Sequence, residues 1–288
     1  MMPLLLGSAL AYSSVQTLSI SVLLLTCVSA LCVHAAANLF NTYYDYIHGV
    51  DSPATNNKKE HTIDDRTLIE GLLKPNEVVR LGLILYAIGT IAFLFLSHVS
   101  PAKEPYLALI YFGALPLSFL YTGGIGFKYI ALGDVLILLT FGPITIVYSF
   151  MAQAGYYSIY PVFYALPLTL NTEAILHSNN TRDMEHDRSV GVLTLSILLG
   201  KRFSYYLYCL LIYSPYVIIS CMMIKISWLC CLPLLTVVHA HRLCKEFQHD
   251  QLVKLPNRTA ILNFQFGFLY ILSIILTNIT RNRQQFVF

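Results

Sequence analysis

Residues 16–51 read QTLSISVLLLTCVSALCVHAAANLFNTYYDYIHGVD, and this stretch decides how the chain is built. The segment 16–41 is uncharged and mostly apolar, and a helix that crosses a bilayer needs about 20 such residues. Asp45 is the first Asp, Glu, Lys or Arg in the whole chain. The stretch therefore predicts a membrane-spanning helix that ends in polar side chains.

The rest of the chain repeats this alternation of long apolar and short polar segments. Of its 288 residues, 56% are hydrophobic and 11% are charged, whereas soluble proteins average about 25% charged residues. This composition excludes a disordered chain, a nucleic-acid binder and a soluble enzyme. We predict an all-α polytopic protein of the lipid bilayer. Its spans are expected near residues 16–41, 81–100, 105–122, 129–150, 158–177, 203–224, 226–241 and 259–280, with half of another span at 1–12.

Lys and Arg are distributed unevenly between the two sides of this predicted bundle. Fourteen lie on the side that follows residue 41, and four lie on the other side. The positive-inside rule places the richer side, with loops 42–80 and 178–202, in the cytosol. The fourteen are Lys58, Lys59, Arg66, Lys74, Arg80, Lys128, Arg182, Arg188, Lys201, Arg202, Arg242, Lys245, Lys254 and Arg258, and the four are Lys103, Lys225, Arg281 and Arg283.

The first of these two loops opens with polar side chains at helical spacing. Asn38, Asn41 and Asp45 are spaced i, i+3 and i+7, so a continuing helix would carry them on one face. Gly49 is expected to end that helix, and Asp51 then follows in the turn. The loop therefore presents amide and carboxylate oxygens at the membrane boundary.

The second loop repeats the arrangement. Asn179, Asp183 and Asp187 are spaced i, i+4 and i+8, which again predicts one face of a continuing helix. Carboxylates crowded at a membrane boundary are costly, and a divalent cation would relieve that cost. Oxygen ligands suit Mg²⁺, which combines one or two carboxylates with substrate phosphates. The two clusters predict a diphosphate held between metal ions.

Two cations are predicted on the same side of the membrane as these clusters. Lys128 sits in a short loop on the same side and Arg182 lies inside the second cluster, so both could contact phosphate oxygens. The simpler alternative, that the loops are solvated connections with capping side chains, does not account for two clusters of matching spacing. Asp64, Asp65 and Arg66 fit either a surface turn or a contact that orders the first loop.

Four further polar residues lie on the apolar segments. For His34, Glu173 and His177 a polar contact inside the bundle is the favoured interpretation over a role in binding substrate. Asp134 is expected to make a hydrogen bond at a helix end or between helices.

These residues carry a family resemblance. Residues 41–45 with Asp51, and residues 179–187, resemble the two Asp-rich motifs of the UbiA superfamily of intramembrane prenyltransferases. The stretches 64–68, 108–113, 119–129 and 173–185 are similar to the animal members that make menaquinone-4. The similarity runs from about Leu6 to Thr280.

The resemblance implies a single domain over residues 1–288. Its fold would be a UbiA-type bundle of nine transmembrane helices, the first one truncated here, with two Asp-rich cytosolic loops over a central cavity. Residues 52–62 look like a flexible extension of the first loop.

The resemblance also implies a site. Mg²⁺ would be bound through the diphosphate, and a geranylgeranyl group would pass from its diphosphate to a reduced naphthoquinone (menadiol). The product would be menaquinone-4 (vitamin K2), in membranes of the endoplasmic reticulum and Golgi. The implied catalytic and metal residues are Asp45, Asp51, Asp183 and Asp187, and the implied diphosphate-binding residues are Lys128, Arg182, Asn41 and Asn179.

Two alternatives stay open. One is a 1,4-dihydroxy-2-naphthoate polyprenyltransferase of the menaquinone pathway, whose acceptor carries a carboxylate. The other is a truncated, non-catalytic membrane protein that binds isoprenoids and has a regulatory role.

Overall fold

The computed structural model describes residues 1–51, 67–103 and 105–280, and these are almost entirely helical. The predictions for residues 52–62, for Asp64, Asp65 and Arg66, and for Arg281 and Arg283 lie outside these ranges. The helices are α1 (Met2–Val15), α2 (Ile20–Ile47), α3 (Pro75–Val99), α4 (Tyr106–Leu120), α5 (Gly133–Leu139), α6 (Thr145–Ala154), α7 (Tyr160–Arg182), α8 (Met184–Ser189), α9 (Leu195–Lys225), α10 (Val237–Gln248) and α11 (Leu255–Thr280).

Five of the described helices are long and apolar enough to cross a membrane. They are α2, α3, α9, α11 and the run Gly133–Ala154, which comprises α5, a π-helical turn and α6. The all-α polytopic architecture predicted from the sequence is therefore confirmed. The predicted span at 226–241 is not one continuous α-helix, because a 3₁₀ helix over Trp228–Thr236 precedes α10. Pro233 lies inside that 3₁₀ segment, where it lacks the N–H that a regular α-helix would use.

Helix α2 carries the first polar cluster. The Ser19 side chain accepts a hydrogen bond from the Val22 N–H at its start, which satisfies one of the free donors of the first turn. The helix runs through Asp45 to Ile47, and Gly49 then adopts a left-handed conformation with φ of +73°. The prediction that Gly49 ends this helix is confirmed, because glycine adopts this conformation without a steric penalty.

The second cluster departs from the predicted continuous helix. Helix α7 ends at Arg182, and Asp183 has φ of −93° and ψ of 3°, outside the helical region. The short helix α8 then starts at Met184. The i to i−4 hydrogen bonds survive this break, since Asp183 N–H donates to Asn179 O (3.0 Å) and Asp187 N–H donates to Asp183 O (2.9 Å). Asn179, Asp183 and Asp187 therefore keep the i to i−4 hydrogen bonding of a helix, but the expectation of one unbroken helix is wrong.

Two buried apolar clusters hold the helices together. The larger one is built from α1, α6, α7, α9, α10 and α11, and the smaller one from α1, α2, α3, α4 and α6. Helices α1 and α6 belong to both and pack closely, since a Cβ at Gly7 would come within 2.8 Å of Ile146 O. The hydroxyls of Ser8 and Ser149 are 3.0 Å apart across the same contact. Small residues at helix contacts are typical of membrane bundles.

The π-helical turn Thr140–Ile144 brings α5 and α6 against α7. Pro143 interrupts the backbone hydrogen bonding there, and the Thr145 hydroxyl donates to Thr140 O at 2.5 Å. Gly142 lies directly against Thr169 of α7, so that a Cβ at this position would overlap the threonine side chain. The close approach of these two segments therefore depends on glycine.

We expect Gly142→Ala to destabilise the bundle by about 1–3 kcal/mol, the usual cost of overpacking a tight contact. The matched control is Gly113→Ala in α4, where the added methyl carbon would meet no atom of the described residues within 4 Å. Thermal unfolding in detergent, followed by fluorescence-detected size exclusion, measures both. Equal midpoints for the two variants would contradict the assigned contact.

Candidate functional site

The carboxylate of Asp45 is the centre of the first cluster. The residue is 4% exposed, and three side chains donate to its oxygens. Lys128 Nζ lies 2.6 Å and Asn41 Nδ2 lies 2.9 Å from Oδ2, while the Tyr129 hydroxyl lies 2.9 Å from Oδ1. Lys128 Nζ also donates to Asn41 Oδ1 at 3.1 Å. The cluster therefore pairs a buried anion with a cation and two neutral donors.

The loop between α4 and α5 delivers Lys128 to this cluster. Gly124 and Gly126 have φ of +59° and +65°, which lets the chain turn back on itself. The Lys128 N–H donates to Tyr121 O at 2.8 Å and closes the turn. The next residues pair with the segment before α9, where the Ala131 N–H donates to Leu193 O at 2.7 Å. Lys128 thus lies on a loop that is fixed at both ends.

The second cluster holds its own ion pair. Arg182 donates through Nε to Asp183 Oδ1 (2.7 Å) and through Nη2 to Asp183 Oδ2 (2.6 Å). His186 Nε2 donates to the carbonyl of Val50 at 2.8 Å. That bond joins the second loop to the residue that precedes Asp51 in the first loop. The two Asp-rich loops are therefore in direct contact.

The charges of the two clusters also affect one another. Burial, and after it the neighbouring Asp183 carboxylate, raises the pKa of Asp187 to about 7, while Lys128 and His186 act in the opposite direction. Burial, followed by the nearby charge of Asp45, raises the pKa of Tyr129 far above its usual value, so this hydroxyl stays protonated and donates. The site concentrates negative charge that a bound cation would stabilise.

The donor set fits a magnesium ion that is shared with a phosphate. Within residues 1–51, 67–103 and 105–280, no three His, Cys, Asp or Glu side chains converge on one point as a protein-only metal cage would require. Mg²⁺ does not need such a cage, because it commonly keeps waters and uses one or two carboxylates with substrate phosphates. Asp45, Asp51, Asp183 and Asp187 are all hard oxygen donors of that kind.

A cavity of about 400 Å³ opens below the clusters, between α1, α2, α4, α5–α6 and α7. Asn41, Lys128, Asn179 and Asn180 lie at its polar end, and the remaining wall is mainly apolar and aromatic. The aspartates and Arg182 lie outside the cavity wall itself. The cavity therefore has a charged and amide-lined head and a long apolar body.

The polar residues on the apolar segments fall into two groups. Asp134, Glu173 and His177 are at most 4% exposed and lie together between α5, α7 and α9. His177 Nε2 donates to Ser204 O at 3.1 Å, and its Nδ1 lies 3.9 Å from Asp134 Oδ1. His34 instead lines the cavity, with its ring edge-to-face against Phe141 at 5.1 Å.

Three site residues were not assigned a role by the sequence reasoning. Tyr129 donates to Asp45, His186 joins the two loops, and Asn180 lines the polar end of the cavity. Tyr129 and His186 contact residues that are distant in sequence, and Asn180 lies outside the i, i+4 spacing of its cluster, so helical spacing indicates none of the three. The only available signal was their position inside or beside the recognised motifs.

Comparisons with known proteins agree on one family. The sequence profile described as the UbiA prenyltransferase family matches residues 1–276. The chain is 50% identical over 274 residues to the human UbiA prenyltransferase domain-containing protein 1, covering 95% of this chain and 79% of the human protein. It is 48% identical over 276 residues to the homologue from Drosophila melanogaster, covering 95% of this chain and 75% of that protein.

Solved structures show the same fold at low sequence identity. A UbiA homologue from Aeropyrum pernix K1 superposes with a TM-score of 0.72 at 15% identity, covering 94% of this chain and 95% of that one. A UbiA homologue from Archaeoglobus fulgidus, solved with DMAPP and Mg²⁺ bound, superposes with a TM-score of 0.59 at 15% identity over the same shares.

Proposed function

The chain belongs to the UbiA prenyltransferase family, and we propose that this membrane prenyltransferase transfers a geranylgeranyl group from its diphosphate to menadiol, giving menaquinone-4. The observation that carries the proposal is the shape and polarity of the cavity. Its head holds Asn41, Lys128, Asn179 and Asn180, and its body is apolar. An allylic diphosphate has the same division into an anionic head and a hydrocarbon tail.

The proposed site roles follow from the side chains around the head. Asp45, Asp51, Asp183 and Asp187 would hold Mg²⁺ through the diphosphate. Asn41, Asn179, Lys128 and Arg182 would bind the diphosphate itself. Lys128 forms an ion pair with Asp45, and Arg182 forms one with Asp183. Both cations therefore lie beside carboxylates that would share the metal. We also propose that residues 1–288 form one domain.

Each part of the cavity has a task in the transfer. When bound, Mg²⁺ supplies electrostatic stabilisation of the charge that develops on the leaving diphosphate. Lys128 adds a fixed positive charge at the same end, pre-positioned by Asn41 and Asp45. The C–O bond of the prenyl diphosphate breaks and positive charge develops on the allylic carbon. The apolar wall excludes water from that carbon. The electron-rich ring of the acceptor then bonds to that carbon. The diphosphate leaves with the electron pair of the C–O bond, and a base takes the ring proton.

We expect Asp183→Ala to lower turnover by at least about 10²–10³, the typical cost of losing one preorganised electrostatic contact. Membranes that contain the protein would be given geranylgeranyl diphosphate and menadiol, with and without Mg²⁺. The matched control is Asp250→Asn, since Asp250 pairs with Lys201 on the surface and is 59% exposed.

Near-normal turnover of folded Asp183→Ala would contradict the assigned role of this residue. Binding of geranylgeranyl diphosphate by wild-type protein without any product would favour the non-catalytic isoprenoid-binding alternative. Loss of activity in the Asp250→Asn control would show that the assay responds to surface charge and not to the site.

The charged side chains of the cavity wall also favour one acceptor over the other. Lys128, at the head, is the one Lys or Arg in the cavity wall formed by the described residues. His34 lies seven residues below Asn41 on α2, about 10 Å further into the cavity. A carboxylate on the acceptor would lie there without a Lys or Arg side chain of the described wall to pair with, and an unpaired charge in a mainly apolar cavity is costly. This favours the uncharged menadiol over 1,4-dihydroxy-2-naphthoate.

We expect turnover with menadiol to exceed turnover with 1,4-dihydroxy-2-naphthoate by at least about tenfold, as for a substrate whose charge is left unpaired. His34→Arg adds a fixed cation to the same wall and should narrow this ratio. Paired measurements of kcat/KM for both acceptors test the idea. A wild-type preference for the carboxylated acceptor would assign the protein to that pathway instead.

We further propose that the protein resides in endoplasmic reticulum and Golgi membranes with its Asp-rich loops in the cytosol. The excess of Lys and Arg on the side of these loops supports this orientation. A glycosylation tag between α2 and α3 is then expected to stay unmodified, whereas a tag between α3 and α4 is expected to be glycosylated. The reverse pattern would invert the orientation.

A further inference from the structure

Helix α2 carries an imidazole in the middle of its apolar run. His34 lies halfway along this helix of 28 residues, which is long and apolar enough to cross a membrane. Polar and ionisable side chains are rare at such a depth, and those that occur there usually face a cavity or a neighbouring polar group. His34 lines the central cavity, and so does Asn38, one turn closer to the polar head.

The two side chains share one face of α2. They are spaced i and i+4, and Asn41 of the head follows three residues after Asn38. The Cβ atoms of side chains spaced in this way are about 5–6 Å apart. A polar stripe therefore runs from the head into the apolar part of the cavity.

Neither side chain of this pair has a partner in the protein. Among residues 1–51, 67–103 and 105–280, no group forms a hydrogen bond with the side chain of His34 or Asn38. Both residues are exposed, so a ligand in the cavity can reach them. The His34 ring contacts Phe141 edge to face, with the centroids 5.1 Å apart, and this contact holds it against the opposite wall.

Hydroxyl groups of the same wall show the contrast, because they already have partners within the bundle. The hydroxyls of Tyr148 and Ser29 are 2.7 Å apart, and that of Thr140 donates to Leu136 O at 2.8 Å. These groups complete the packing of the helices. The imidazole of His34 and the amide of Asn38 are left to bind a ligand.

The pair fits an aromatic ring that carries two hydroxyl groups on opposite carbons. A neutral imidazole and an amide each offer both a donor and an acceptor, so each can bind a hydroxyl. The two oxygens of a 1,4-hydroquinone are separated by about the distance between side chains one helical turn apart. The apolar faces of the ring between them suit the mainly apolar wall.

We propose that Asn38 and His34 bind the two hydroxyl groups of the acceptor ring. This rests on the proposed function, in which the head of the cavity binds the prenyl diphosphate and the acceptor is menadiol. Asn38, nearer the head, binds the hydroxyl beside the ring carbon that receives the prenyl group. His34 binds the hydroxyl beside the methyl group. The pair thus directs the reacting carbon of the acceptor towards the head.

Analogues with one hydroxyl separate the two contacts. In 3-methyl-1-naphthol only the hydroxyl assigned to Asn38 remains, and in 2-methyl-1-naphthol only the one assigned to His34. Binding of both naphthols and of menadiol is measured by anaerobic equilibrium dialysis against the protein in nanodiscs, with Mg²⁺ and an unreactive geranylgeranyl thiolodiphosphate. Empty nanodiscs correct for partition into lipid.

We expect His34→Leu and Asn38→Leu each to weaken menadiol binding by about five- to tenfold, the usual effect of losing one hydrogen bond. The naphthols should give a crossed pattern, because a lost contact affects only a ligand that makes it. His34→Leu should weaken 2-methyl-1-naphthol and spare 3-methyl-1-naphthol, and Asn38→Leu should do the reverse.

His98→Leu is the matched control. It makes the same substitution at an exposed histidine of α3 that lies outside the cavity wall, so all three affinities should stay unchanged. His34→Gln supplies an amide that can bind a hydroxyl, and it should bind menadiol within about threefold of wild type.

The outcomes separate the two proposals. Equal weakening of all three ligands would overturn the hydroxyl contacts, because the loss would then come from the shape of the wall. Unchanged menadiol binding in both leucine variants would overturn them too, and menaquinone-4 formation would then leave the proposed function standing. The crossed pattern without any transfer to menadiol would support the site and overturn the proposed reaction. Failure of menadiol to bind the wild-type protein would overturn both.

Discussion

The buried carboxylate of Asp45 is the interaction on which the rest of the site depends. A carboxylate that is 4% exposed at the edge of a membrane bundle is stable only if other groups replace its lost hydration. Helix α2 supplies Asn41, and the loop after α4 supplies Lys128 and Tyr129. The hydrogen bonds from Lys128 and Tyr129 to Asp45 hold this loop, which is distant in sequence, against the end of α2. Together the two segments form the polar head of the cavity.

The same requirement links the remaining loops. The segment that carries Lys128 and Tyr129 pairs with the residues before α9, and His186 donates to the backbone of the first loop. Three segments far apart in sequence, residues 41–50, 128–131 and 186–193, are thereby held close together. Negative charge is in excess there, which is the condition under which a divalent cation and a diphosphate would bind together.

The apolar part of the cavity follows from a different constraint. Helices in a bilayer gain little from burying apolar surface against one another, so they pack through small residues and polar contacts. Gly7 and Gly142 allow such close contacts, and Gly142 lies within the π-helical turn. A space remains between α2, α4 and α5–α6, and Tyr111 and Tyr148 are among the residues that line it. Its polar head and its mainly apolar wall suit a ligand with an anionic end and a hydrocarbon tail.

The amino-acid sequence was enough to predict an all-α membrane protein, the end of α2 at Gly49 and the helical spacing within both Asp clusters. These are local properties, because hydropathy and helical periodicity act over a few turns of one segment. Three other features follow from contacts in the folded protein: α7 breaks at Asp183, Tyr129 and Lys128 donate to Asp45, and Tyr148 of α6 lines the same cavity as Asn41 of α2. Those outcomes arise where segments distant in the chain satisfy each other's buried polar groups and fill each other's space, and no local pattern in the sequence encodes such contacts.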